Sequence, residues 1–212
     1  MKTAILFSGQ LRSFDITYSN IKANLIDSFK ECDIFFCVAD NNLDLVYKYL
    51  IPTKEIHSYD SLPKEDFLIS FEPNHHHIPG FLNQWRGVYL VKELMTHYST
   101  EYDYVIRVRP DIMFSHPVAP PELISGVITV SMYGSHSGEN GIGVNDKFAI
   151  GLFSDMVTYC NFYQSDIIRS YYGNSEQKLY KYLTENGICL NTLDNALIKI
   201  DTNGGSRIDS LC

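Results

Sequence analysis

The segment YDYVIRVRPDIMF, residues 102–114, restricts the fold more than any other part of this chain. Val105, Ile106 and Val108 mark a buried strand, yet Arg107, Arg109 and Asp111 interrupt it at alternate positions. Alternate residues of a strand share a face, so three ionisable groups point one way. Burying such groups unpaired is costly. A salt bridge between Arg109 and Asp111 would satisfy two of them but leave the repulsion between Arg107 and Arg109 unexplained. An anionic ligand accounts for the set better, because guanidinium groups grip phosphate oxygens in a planar fork. Pro110 fixes a local turn there and stops further sheet pairing.

The pattern before this strand alternates in kind. TAILF is a short apolar run ended by Ser8 and Gly9, and reads as a first buried strand. Ile21, Leu25 and Phe29 fall four apart, which is one face of a helix. CDIFFCVAD is a second strand ending at Asp40, LDLVYKYL reads as helix, and KEIHSYD as a weaker third strand. The β-α-β-α-β order predicts an α/β domain: a mainly parallel sheet with helices on its faces.

Residues 60–80 contain Pro63, Pro73 and Pro79 and read as loop. A long helix is predicted over 81–97, with Phe81, Trp85, Val88 and Met95 at helical spacing. GVITVS and KFAIGLF read as strands, and the glycine-rich MYGSHSGENGIGVND between them as a mobile loop. SDMVTYCNFY is predicted to be a helix capped by Ser154 and Asp155, and SEQKLYKYLTENG one capped by Ser175 and terminated by Gly187. ICLNTL and ALIKID close the domain, leaving TNGGSRIDSLC as an exposed tail. A length of 212 residues suits one domain over the whole chain, complete or as part of a longer polypeptide.

A formal net charge of -8 argues against nucleic acid as a partner, and no polybasic run suggests an anionic membrane. The apolar run near the N-terminus is too short for a signal peptide, and no stretch reaches membrane-spanning length. Five cysteines without a CxxC spacing read as reduced, buried thiols. Together these features predict a cytoplasmic protein.

Ligands of an open α/β sheet bind beyond the carboxyl ends of its strands. Four polar features fall at such ends: Ser8, Gly9, Gln10 and Arg12; Asp40; Arg107, Arg109 and Asp111; and Asn145 with Asp146. Gly9 lets the backbone approach a ligand, and Arg12 can reach a phosphate. The first loop lacks both the GxGxxG and the Walker lysine patterns. His75, His76 and His77 are consecutive on a loop and point in different directions, so an exposed loop explains them better than a shared ion.

YDYVIRVRPDIMF also resembles the strand that carries the Asp-x-Asp motif in GT-A-type glycosyltransferases. ILFSGQLRSF, NQWRGVYLVKELMTHYSTEYDYVIRVRPDI, VNDKFAIG and SEQKLYKYLTENGI resemble, in the same order, segments of a group of small GT-A-like transferases. Such domains serve bacterial surface-polysaccharide synthesis and capsid glycosylation by large DNA viruses, chlorella viruses among them. The resemblance covers most of the chain. It implies a GT-A-like fold, a nucleoside-diphosphate sugar as donor (UDP-sugar favoured, hexose or deoxyhexose) and a glycan or glycoprotein as acceptor. It places Ser8, Gly9, Gln10, Arg12, Asp40, Asn83, Gln84, Arg86, Arg107 and Arg109 at the donor, and leaves Trp85 to the core. In the family motif two carboxylates hold Mn²⁺ or Mg²⁺ against the diphosphate. Here Arg109 stands in place of the first and Asp111 matches the second. Two expectations follow. Asp111 ligates a metal together with His136 or another side chain, or Arg107 and Arg109 take over part of the metal's charge. Asp146 is the expected general base toward the acceptor, with Glu176 ranked below it. The competing expectation is a non-catalytic nucleotide-sugar or glycan-binding module with a degenerate motif.

Overall fold

Residues buried on both faces make the first strand, β1 (Thr3–Gly9), central. Ala4 and Leu6 face one core, Ile5 and Phe7 the other. Unbroken apolar runs of this kind suit a parallel strand covered on both sides. The computed structural model describes residues 1–39, 43–49, 53–60, 78–98, 102–131, 133–135, 142–170, 174–193, 197–200 and 205–209. Asp40, His75, His76, His77 and His136 lie outside the described residues.

After β1 come α1 (Phe14–Asn24), β2 (Cys32–Val38), α2 (Asp44–Lys48), β3 (Thr53–Ser58), α3 (Ile78–His97) and β4 (Tyr104–Val108). β2 lies parallel to β1 on one side and β4 parallel to it on the other. β3 adds to the outer edge of β2, again parallel. α3 packs over β1 and β2, with Trp85, Val88 and Met95 in the core. Phe14 and Ile21 of α1 cover the opposite face. There Phe7 and Phe36 stack with ring centroids 4.5 Å apart.

Past Pro110 the chain leaves this sheet. β5 (Ile112–Phe114) enters a second one, followed by β6 (Val127–Val130), β7 (Tyr133–Ser135), β8 (Ile142–Val144) and β9 (Phe148–Leu152). Then come α4 (Phe153–Cys160), a 3₁₀ turn at Asn161–Gln164, α5 (Asp166–Arg169), α6 (Ser175–Glu185), β10 (Cys189–Thr192), β11 (Leu197–Ile200) and β12 (Ser206–Asp209). The main sheet has the order β10-β6-β9-β4-β1-β2-β3, and only β9 runs against its neighbours. β12, β11 and β5 form a small antiparallel sheet. The predicted α/β architecture, a mainly parallel sheet flanked by helices, is therefore present. Among the described residues no helix is long and apolar enough to cross a membrane.

Several local expectations are corrected. Part of the glycine-rich stretch is not a loop but the β7–β8 hairpin, and part of the expected tail is β12. The first helix stops at Asn24, although Leu25 and Phe29 are still buried. Ser154 and Asp155 lie inside α4 rather than before it, and Asp155 accepts from the Gly126 amide at 2.9 Å. Cys189 is exposed, unlike the buried Cys37 and Cys160.

The cap of α6 is Asn174 rather than Ser175. Its side chain accepts from the Glu176 and Gln177 amides, and the Gln177 side chain accepts from the Asn174 amide. Such a reciprocal box satisfies donors that a helix start otherwise leaves open. Replacing Asn174→Ala is expected to cost about 1 kcal/mol. Thermal denaturation should show the melting point lowered by about 2–4 °C.

Candidate functional site

β1 continues to β2 on one side while β4 lies parallel to it on the other, so the order of connection reverses between β1 and β4. In open α/β sheets a crevice forms outside the strand ends at such a point. Here the two ends nearly touch. Gly9 has φ 134°, a conformation that favours glycine, and a Cβ on it would stand 3.3 Å from Pro110 Cδ. The turn at Pro110 is tied down from two other elements. Thr17 Oγ1 donates to the Pro110 carbonyl at 2.5 Å, and the Ile200 amide donates to the Asp111 carbonyl at 3.0 Å. β11 thereby sets Lys199 opposite Ile112, beside the strand exit.

A cleft of about 570 Å³ opens at this point. Six residues predicted from the sequence line it: Gly9, Gln10, Arg12, Asn83, Gln84 and Arg109. Tyr59 and Lys199 line it as well, and neither was foreseen. Lys199 carries a faint signal, a cation inside the apolar alternation of ALIKI, but its partners come from the other end of the chain.

Arg109 and Asp111 pair. Arg109 Nε donates to Asp111 Oδ1 at 2.8 Å and its terminal nitrogen to Oδ2 at 2.6 Å, a bidentate fork. The Asp111 side chain is only 3% exposed, and Arg12 approaches Oδ2 at 3.9 Å. Burial acts to raise the Asp111 pKa, but the Arg109 hydrogen bonds and charge outweigh it. With help from Lys199 and Arg12 they hold the carboxyl below its ordinary value. The other terminal nitrogen of Arg109 donates to Gln84 Oε1 at 3.2 Å, and Gln84 Nε2 donates in turn to Asp146 Oδ2. Asp111, Arg109, Gln84 and Asp146 thus form one hydrogen-bonded row from β4 across α3 to the start of β9.

Three predicted donor residues do not line the cleft. Arg107 is wholly buried two residues earlier, within β4. Its Nε donates to Ser8 Oγ at 3.3 Å, and its two terminal nitrogens have no hydrogen-bond partner among the described residues. Its charge lowers the pKa of the buried Tyr159 hydroxyl, which burial raises more strongly. Ser8 is equally buried behind the cleft wall. Arg86 is the third displaced residue. It lies over the Tyr59 ring at 5.6 Å and donates to the Asp60 carbonyl at 2.7 Å. Tyr59 in turn donates to the Asn83 carbonyl at 2.9 Å. Gly87 makes room for it, since a Cβ there would come within 2.5 Å of the Tyr59 hydroxyl.

The expected Mn²⁺ or Mg²⁺ is not supported by the donor set. Among the described residues no group of three His, Cys, Asp or Glu could hold a metal ion. Hard divalent ions need several oxygen ligands. Both Asp111 oxygens are engaged by Arg109, the residue that replaces the other carboxylate of the motif. The proposed second ligand, His136, lies outside the described residues. No protein-family model matches the chain, and no curated protein matches it either.

Asp111 generates a stability prediction. A carboxyl held below its ordinary value stabilises the fold above about pH 4, and that contribution is lost as pH falls through the depressed value. Asp111→Asn leaves a largely buried Arg109 without its counter-charge and is expected to cost about 3–5 kcal/mol near pH 7. Urea denaturation across acidic and neutral pH should show the mutant well below the wild type at neutrality, with the gap closing below about pH 4.

Proposed function

We propose that this chain is a nucleotide-sugar-binding domain of GT-A-like kind whose metal motif is degenerate. The observation that carries the reading is the cleft at the β1–β4 divide, walled by Arg12, Arg109 and Lys199 in a protein of net charge -8. A concentration of cations at the one edge where α/β sheets take ligands favours a diphosphate. Gly9 leaves the backbone open to close approach, and Tyr59 offers an aromatic wall for a base or sugar. The mainly parallel sheet, and the position of RVRPD at the exit of its β4 strand, agree with the resemblance to GT-A domains. UDP-sugars are the favoured donors and a glycan or glycoprotein the favoured acceptor.

Sugar transfer is a second reading, and Asp146 favours it. Its carboxylate is bound to Gln84, one residue away from the cleft's cations. From there it would take the proton of an acceptor hydroxyl while Arg109, Arg12 and Lys199 stabilise the departing diphosphate.

Thermal shift against nucleosides, nucleoside diphosphates and their sugars tests the binding reading. Ligand at 100 times its dissociation constant adds about 2.7 kcal/mol, a rise of roughly 5–10 °C for a domain of this size. Diphosphates and their sugars are expected to shift the melt and the bare nucleosides to leave it unmoved; no shift with any nucleotide contradicts the reading. Donor hydrolysis then separates the two readings. Turnover that Asp146→Asn removes while binding persists supports transfer, and no turnover across donors and acceptors leaves the binding domain.

A further inference from the structure

We propose that Arg12, Arg109 and Lys199 do the work of a divalent metal at this cleft, so that a diphosphate binds there without metal and Mg²⁺ weakens the complex. The inference rests on the diphosphate reading above and concerns how that group is held. These cations come from three separate elements: the turn before α1, the exit of β4, and β11. Nothing in a short-range fold requirement brings them together. A structural ion pair at Asp111 needs one cation, and Arg109 already fills both its oxygens. Arg12, at 3.9 Å, and Lys199 are surplus to that pair, yet both wall the same cleft.

The surplus carries a strain that a bound anion relieves. Burial, then the positive charges of Arg109, Lys147 and Arg12, lower the Lys199 pKa, against the opposite pull of Asp111. Like charges held within reach of one another cost free energy unless an anion lies between them. A diphosphate supplies that anion, and with it hydrogen-bond acceptors for guanidinium and ammonium donors. A divalent ion meets the opposite conditions. It would enter a site where the motif's first carboxylate is an arginine and its second is locked in a fork. In solution it also chelates the diphosphate and so competes with the protein.

Calorimetric titration of the full chain with UDP and with inorganic pyrophosphate, each in EDTA and in excess Mg²⁺, tests this. Binding is expected in EDTA and weaker binding in Mg²⁺. Arg12→Gln and Lys199→Met are each expected to lower affinity about tenfold or more and to flatten its dependence on salt. Arg12 is 38% exposed, so its replacement tests the site with little demand on the fold. Binding that appears only with Mg²⁺ or Mn²⁺ overturns the inference and leaves the nucleotide reading standing. Wild-type affinity in both variants, with binding intact in EDTA, also overturns it. No binding of UDP or pyrophosphate in either buffer removes the nucleotide reading itself.

Discussion

The fork between Arg109 and Asp111 is the interaction on which the rest of this site depends. It sits where the central sheet gives up a strand, and it holds a guanidinium at that exit instead of letting it turn to solvent. Breaking a buried pair leaves an uncompensated charge, so neither partner is free to change by itself. The turn between them is fastened by Thr17 and Ile200, which fixes α1 and β11 relative to β4. Gly9 then lets the end of β1 press against Pro110. The cleft is the space left in front of these contacts.

The electrostatics of this region run against those of the whole chain. A protein with an excess of acidic residues gathers Arg12, Arg109 and Lys199 within interaction range of one buried carboxylate, and Lys147 within range of Lys199. Arg107 adds a further charge from inside the core, with two nitrogens that meet no partner among the described residues. A guanidinium does not shed its proton in proteins, so this burial is maintained at a cost. Clefts lined by one sign of charge and backed by low-dielectric walls focus their field outward. On the proposed reading, that field would draw a diphosphate to the β1–β4 divide.

Much of this was legible in the sequence because strand order and strand ends follow from local patterns. TAILF, CDIFFCV and VIRV are apolar runs, and the polar residues behind them fall at one edge. The alternation read in RVRPD extends past β4, which ends at Val108, and it does not say where the protein surface begins. Two residues separate Arg107, in the core, from Arg109, at the cleft beyond the end of β4. The sequence favours a ligand over a salt bridge between Arg109 and Asp111; the structure has the bridge and a cleft beside it. The β7–β8 hairpin was hidden because its glycines look like loop residues. Gly143 is small for another reason: α6 crosses there, and a Cβ would meet Glu176 Cβ at 3.0 Å. Lys199 was beyond reach, since only the pairing of β11 with β5 carries it to the site.

A crystal structure of the protein grown with UDP in the presence of EDTA tests the central claim most directly. The diphosphate is expected over Gly9 and Pro110, in hydrogen-bond contact with Arg109, Arg12 and Lys199. A nucleotide bound elsewhere, with the β1–β4 cleft still filled by water and its cations turned to solvent, would contradict it.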